Sequence, residues 1–279
     1  MSSSELTPDL SSWIGRHITA DSGLDAEHAK RVALTLNDPV PQAGDPLPSL
    51  WQWAFFTDSV PTPGLGTDGH PATGTFLPPT GDRIRMWAGG RVNFSKPLLV
   101  GVPASKKSTI QAIQEKEGRQ GKLLFVTIRH DYTQNGETAI SEEQDLVYRR
   151  PSPPVLKGTQ PAPQSQWTTQ VEPHSTLLFR YSAVTFNSHR IHYDFPYVTG
   201  EEGYPALVVH GPLIATLMLR AFQNANPDKT VRHFAYRGLR PLVAPTPFHV
   251  AGRMLPDGQA ELWAEQDGTL AHQATVTLA

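Results

Sequence analysis

Hydrophobic positions along this chain fall into short runs whose period changes several times. Residues 25–36 carry an apolar face at helical spacing, which predicts an amphipathic helix, and residues 47–56 (LPSLWQWAFF) predict a short apolar one. Runs at 83–92, 98–102, 123–129 and 146–149 read as strands. After a polar interval, residues 177–184 (LLFRYSAV) read as a further strand, and residues 211–222 (GPLIATLMLRAF) as a helix that is apolar on nearly all sides and therefore buried. Proline at the second position of that run suits a helix start, where the first N–H groups have no intrahelical acceptor. Strand-like runs follow at 231–243, 248–254, 259–265 and 269–278, and Asn135-Gly136, Asp257-Gly258 and Asp267-Gly268 mark hairpin turns. Strand, buried helix, then antiparallel meander predicts an α+β fold in which a sheet wraps one long apolar helix.

The first half reads as a weaker copy of the second. Lys96-Pro-Leu-Leu99 with Pro103 mirrors Arg240-Pro-Leu-Val243 with Pro247, each after an aromatic-containing strand. Residues 151–173, rich in Pro, Gln and Thr and without apolar period, predict an extended, poorly packed linker. It separates residues 1–150 from residues 174–279, each long enough for a core of its own. With 26 prolines and 22 glycines in 279 residues, short strands and turns are favoured over a helical bundle.

A net charge of −2 provides no global field for nucleic acid or a membrane, so an anionic ligand would be held by local lysines and arginines. Cysteine is absent, which removes disulfides, thiolate nucleophiles and cysteine zinc sites. Residues 1–9 have no basic, apolar leader pattern, and the most apolar stretch, 207–222, contains His210 and Arg220 and is too short to span a bilayer. The expectation is a soluble, cytoplasmic protein. Gly64-Leu-Gly-Thr-Asp-Gly69 fits a dinucleotide-loop spacing, but prolines flank it and no helix follows, so it reads as a turn-rich loop.

Candidate chemistry concentrates in Asn187, His189, His192 and Asp194, which fall within eight residues just before the buried helix. Polar groups at such a junction can converge on a ligand while the scaffold stays rigid. The alternative is a solvated surface loop. A zinc site from His189, His192, His210 and Asp194 has no helical i,i+4 pair to support it, and no metal is expected. His192 is the natural acid–base group, since imidazole titrates near neutrality.

The segment FNSHRIHYD, followed by GYPALVVHGPL, resembles the signature of MaoC-like, R-specific enoyl-CoA hydratases. Phe186 stands where that signature has glycine, Asn187 where it has the catalytic aspartate, and His189 where it has asparagine. Arg190 replaces its proline, Ile191 keeps its aliphatic position, and His192 matches its catalytic histidine. Asp194, Tyr197 and His210-Gly211 also have counterparts. GTDGHPATGTFLPP and RMWAGGRVNFSKPLLVG resemble the degenerate first repeat of a subgroup that has Asn in place of Asp, the type 2 hydroxyacyl-thioester dehydratases. They identify the subgroup but assign no chemistry.

The resemblance implies a double hotdog, with a degenerate first repeat, a catalytic second one and an acyl-CoA lying between them. It implies a hydratase or dehydratase in which His192 acts as acid–base, Asn187 orients the water, and Gly211, with His210, receives the thioester oxygen at the start of the helix. Asp194 reads as a cap or surface residue. His189, Arg190, Arg91 and Arg237 are substrate-binding candidates, the arginines for a second carboxylate, and Trp51 and Trp53 for the acyl pocket. No cofactor beyond the substrate's own CoA is expected, and subunits can form homo-oligomers. The preferred reaction is hydration of a short branched dicarboxylic enoyl-CoA, itaconyl-CoA first. Mesaconyl-C4-CoA, longer 3-hydroxyacyl thioesters, thioester hydrolysis and non-catalytic acyl-CoA binding are the alternatives.

Overall fold

Ten antiparallel strands join edge to edge into one sheet in the computed structural model, among the described residues (10–57, 59–118 and 121–279). The reading of residues 1–9 as leaderless falls outside them. In chain order the strands are β1 (His17–Ser22), β2 (Ile84–Phe94), β3 (Ala104–Gly118), β4 (Gly121–Gln134), β5 (Glu137–Arg149), β6 (Trp167–Val171), β7 (Val231–Gly238), β8 (Phe248–Met254), β9 (Ala260–Gln266) and β10 (Thr269–Leu278). Their order across the sheet is β1-β3-β4-β5-β2-β7-β10-β9-β8-β6, which reads the same way outward from the centre in both halves. The seam is the pairing of β2 with β7, where Arg91 faces Ala235 and Val92 faces Phe234. This is a double hotdog.

The repeat seen at Lys96 and Arg240 extends to hydrogen bonds. Ser95 and Lys96 N–H both donate to Ala139 O, and Leu239 and Arg240 N–H both donate to Ala271 O. Gln134 donates to Leu99 O and Val102 O, and Gln266, at the matching place before its own hairpin, donates to Thr246 O and Pro247 O. The segment 98–102, read as a strand, is instead this loop: Leu98 O accepts from Leu47, as Leu242 O accepts from Val209. For the same reason β7 stops at Gly238, short of the predicted 243.

Helix α1 (Ala26–Leu36) follows β1, capped by Asp25, whose carboxylate accepts from His28 N at 2.8 Å. Helix α2 (Ser175–Val184) follows β6 in the equivalent position. Residues 177–184 therefore form a helix and not the predicted strand. The His174 ring accepts from Leu177 N at its start, and Leu178, Tyr181 and Ser182 bury one face at i, i+3, i+4 spacing. Strand β6 lies inside the segment read as a linker and forms the sheet's outer edge against β8.

A short helix α3 (Phe195–Gly200) leads to α4 (Gly211–Ala225), which carries nine buried residues and packs against β6, β8, β9 and β10. The first half has a single 3-10 turn, Trp51–Ala54, where α4 has its counterpart. One concave half of the sheet is thus filled by a helix and the other is not. No helix among the described residues is long and apolar enough to cross a membrane.

Phe222 is fully buried on α4, with its ring 5.9 Å from that of Trp167 on β6. Phe222→Ala is expected to cost about 3–5 kcal/mol, measured as a lowered midpoint in urea denaturation.

Candidate active site

The space that the shortened first-half helix leaves is part of a cavity of about 1070 Å³ lined from both halves. Asn187, His189 and His192 line it, together with Gly211 and Pro212 at the start of α4. His192 is 6% exposed and sits in a 3-10 turn, Arg190–His192. Its Nδ1 lies 2.7 Å from Val208 O. A carbonyl can only accept, so Nδ1 carries the proton and Nε2 is left as an acceptor. Burial pulls its pKa down to about 4, partly opposed by the Val208 bond, so the ring is neutral near pH 7.

Asn187 follows Phe186, a residue at φ 51°. Its Oδ1 accepts from His189 N at 3.0 Å, which leaves the amide N–H₂ as the group it offers. His189 is neutral as well, held well below the usual range by burial first and then by the neighbouring histidines and Arg85. His210 does not line the cavity. It is fully buried behind His192, with ring centroids 3.7 Å apart and nearly parallel, and its Nε2 is 2.8 Å from Ser182 Oγ. It backs His192 and does not itself border the cavity.

Gly211 does admit a close approach, but from the protein: a Cβ there would lie 2.4 Å from the Trp87 ring. Trp87, on β2, stacks on Tyr236 of β7 at 4.6 Å and meets Trp53 edge-on at 5.9 Å. This aromatic group crosses the seam beside the start of α4, where the first-turn N–H groups lack intrahelical partners.

The three arginines proposed from sequence lie elsewhere. Arg91 pairs with Glu143 and Asp145, and Arg237 with Gln273. Arg190 bonds Asp194 at 2.7 Å and Thr67 O, and packs over Tyr197. None of them lines the cavity. Asp194 is the cap of α3, accepting from Tyr197 N at 3.1 Å. Trp53 lines the cavity, whereas Trp51 is buried beside it.

Sequence reasoning missed the titratable groups that the first half contributes. The loop around Asp68 clasps the 188–190 segment: Ser188 Oγ donates to Gly69 O, Arg190 N to Asp68 O, and Arg190 Nη1 to Thr67 O. Gly69 is at φ 87°, and a Cβ there would be 2.0 Å from Ser188 O, so only glycine fits the clasp. It brings Asp68 and His70 into the cavity. Asp68 accepts from His70 Nδ1 at 2.8 Å, and the His70 and His189 ring centroids are 3.9 Å apart. Burial would raise Asp68, but its bonds and charge contact with His70, aided by Arg85, hold it at about 2. Burial and then Arg85 bring His70 down to about 4 despite Asp68. Asp68, His70 and His189 each place one O or N atom within 4.8 Å of the others.

Arg85, Lys106, Arg149 and Arg240 are the cationic side chains among the cavity-lining residues. On the first-half sheet a polar group takes the place of an apolar floor. Glu142 accepts from Trp53 Nε1 and Tyr132 OH, both at 3.0 Å, and Ser108 bonds His130 at 2.8 Å. Lys106 donates to Phe56 O at 2.6 Å.

The profile of the hydroxyacyl-thioester dehydratase type 2 family matches residues 50–244. The chain belongs to this family. It is therefore a hydro-lyase of acyl thioesters. It is 42% identical over 277 residues, 97% of this chain and 98% of the relative, to a mesaconyl-C(4)-CoA hydratase of Chloroflexus aurantiacus. It is 28% identical over 228 residues, 72% of this chain and 75% of the relative, to a mitochondrial hydroxyacyl-thioester dehydratase type 2 of Schizosaccharomyces pombe. Among solved structures, a MaoC-like dehydratase superposes with a TM-score of 0.73 at 14% identity, over 96% of this chain and 99% of that one. HtdX of Mycobacterium tuberculosis superposes with 0.66 at 15%, over 95% and 100%. These likenesses show the fold.

The buried histidines of this dehydratase-family chain couple its stability to pH. His70, His192 and His272 have folded pKa values of about 4 and His130 of about 3, each lowered chiefly by burial. The unfolded chain takes up protons near pH 6.5, where the native state cannot, so stability is flat above that value and declines as pH falls from about 6.5 to about 4. Urea midpoints at pH 7.5 and pH 5 are expected to show this loss, reduced in a His272→Gln variant.

Proposed function

We propose that the enzyme reversibly hydrates a short branched dicarboxylic enoyl-CoA, with mesaconyl-C4-CoA ahead of itaconyl-CoA. The 42% identity along almost the whole chain to a mesaconyl-C(4)-CoA hydratase carries that order. The cavity chemistry supports it. His192 Nε2 accepts a hydrogen bond from water and activates it, which a neutral imidazole does near pH 7. Asn187 takes no proton and holds the water oxygen or product hydroxyl through its N–H₂ group. The thioester oxygen, which gains charge as the enolate forms, lies at the first turn of α4, where N–H groups and the helix dipole favour it.

In mesaconyl-C4-CoA the free carboxylate sits on the β-carbon, the atom that receives the water oxygen. Its partner must then lie beside the water-activating group. Arg85 is the cation best suited to this, since it lines the cavity within electrostatic reach of Asp68, His70 and His189, the last of which meets His192 edge-on. It lies within electrostatic reach of Tyr148 and has no ion pair to a carboxylate among the described residues. Arg149 and Arg240 are occupied, Arg149 by Arg150 O and Ser152 and Arg240 by Leu156, Gln266, Thr269 and Leu270. The apolar part of the acyl group packs against Trp87 and Ile84.

Loss of enoyl absorbance across a panel of CoA thioesters tests the reading. His192→Ala is expected to lower kcat by about 10²-fold or more. Arg85→Met should raise KM for mesaconyl-C4-CoA by about tenfold or more, the scale of one charge-assisted bidentate pair, and leave crotonyl-CoA turnover unchanged. Turnover of monocarboxylic thioesters alone would sink the choice of substrate, and full activity in His192→Ala would sink the mechanism.

A further inference from the structure

The signature aspartate of this site is Asn187 here, so the position that should supply a second proton acceptor cannot do so. The nearest bonded carboxylate–imidazole pair comes from the other repeat. Asp68 and His70 line the same cavity as Asn187 and His192. The clasp of Gly69, Asp68 and Thr67 on Ser188 and Arg190 fixes that loop to the segment that carries Asn187. His70 reaches His189, at 3.9 Å between ring centroids, and His189 in turn meets His192 edge-on at 5.3 Å.

We propose that His70, oriented by Asp68, is the proton-transfer group that works beside the water-binding His192 and takes over the task of the carboxylate replaced by Asn187. The inference rests on the water-activating role given to His192 above. Asp68 accepts from Nδ1–H of His70, which fixes the tautomer and leaves Nε2 as an acceptor, as a buried aspartate does for a catalytic histidine. Two acceptors, Nε2 of His70 and Nε2 of His192, then receive the two hydrogens of one water and aim its oxygen lone pair at the β-carbon. As the O–Cβ bond forms, one water proton passes to His70 Nε2 and the π electrons of the double bond move to the thioester oxygen. The enolate then collapses and the α-carbon takes that proton from His70 on the same face. The second hydrogen, held by His192, remains on the product hydroxyl. No other reactant is needed, and dehydration runs the same steps backward.

The two rings differ in what lies behind Nδ1. His192 has a neutral carbonyl behind its Nδ1 and a neutral imidazole stacked on it, whereas His70 has a carboxylate that is ionised across the neutral range. The Asp68 carboxylate thus favours a transient imidazolium at His70, opposed by the charge of Arg85. The charged groups that face His70 are Asp68 and Arg85, with His189 and His192 as its titratable neighbours.

The test compares His70→Ala, Asp68→Asn and His192→Ala in the full chain, by steady-state hydration of mesaconyl-C4-CoA with and without added imidazole. His70→Ala is expected to lose about 10²-fold or more in kcat with little change in KM, and added imidazole should restore part of that rate, which a structural role would not allow. Asp68→Asn should lose kcat on a similar scale, because an amide can donate to Nδ1 and hold the ring in the wrong tautomer. Wild-type kcat in His70→Ala or in Asp68→Asn, or a His70→Ala rate indifferent to imidazole, overturns the proposal. A stoichiometric metal whose removal abolishes activity also overturns it, by giving Asp68, His70 and His189 to the ion. If His192→Ala alone is impaired, the role of His192 stands and this proposal falls; if His192→Ala is fully active, the reading beneath it falls.

Discussion

One long apolar helix has to serve two concave sheet surfaces, and α4 can fill only one of them. In the second half it removes nine residues from water and gives β8, β9 and β10 an apolar floor to pack on. In the first half the sheet faces a cavity, so inward positions of β3, β4 and β5 carry Lys106, Ser108, His130 and Glu142. Groups of that kind lose water on folding and are tolerated because each finds a partner: Glu142 with Trp53 and Tyr132, Ser108 with His130, Lys106 with Phe56 O. The binding space is a direct product of the missing helix.

The lining of the cavity then depends on contact between the repeats. Asn187, His189 and His192 come from the second, and Asp68, His70, Arg85 and Trp87 from the first. Two features hold them in register: the clasp of residues 67–69 on 188–190, and the Trp87–Tyr236 stack across the β2–β7 seam. Burial keeps the histidines neutral near pH 7, so each retains a ring nitrogen able to accept from a donor. The same burial opposes acid, so catalytic readiness and acid lability have one cause.

Much of the second half was legible because period and turn chemistry agree there. Residues 248–254 and 269–278 are strands at their predicted bounds, and the Asp267-Gly268 turn has the positive φ values its residues favour. LLFRYSAV misled because eight residues with five apolar side chains fit either period, and the start signal was a histidine cap that local rules do not favour. Strand β3 escaped notice for a functional reason: its inward Lys106 and Ser108 face a cavity, so its alternation is polar where a core strand would be apolar. Strands β1 and β6 are short, polar edges and give almost no signal. In the site, Asn187 and His192 stood out by spacing within one segment. Asp68, His70 and Arg85 lie more than a hundred residues upstream, and the turn Thr67-Asp68-Gly69-His70 gives no local sign of what it will touch. Arg91, Arg190 and Arg237 lie outside the cavity, bonded to Glu143 and Asp145, to Asp194 and Thr67 O, and to Gln273 respectively.

Joining two copies in one polypeptide has a further consequence for how such a site can change. When a sheet of this kind is assembled from two identical chains, any alteration appears twice, and shortening the central helix would hollow out both copies and remove both helix termini. Covalent tandem duplication frees each copy to specialise: here one gave up its helix and became a container, while the other kept its helix and the histidine segment beside it. The cost of that division of labour is that neither copy encloses the cavity alone, since its lining is drawn from both repeats.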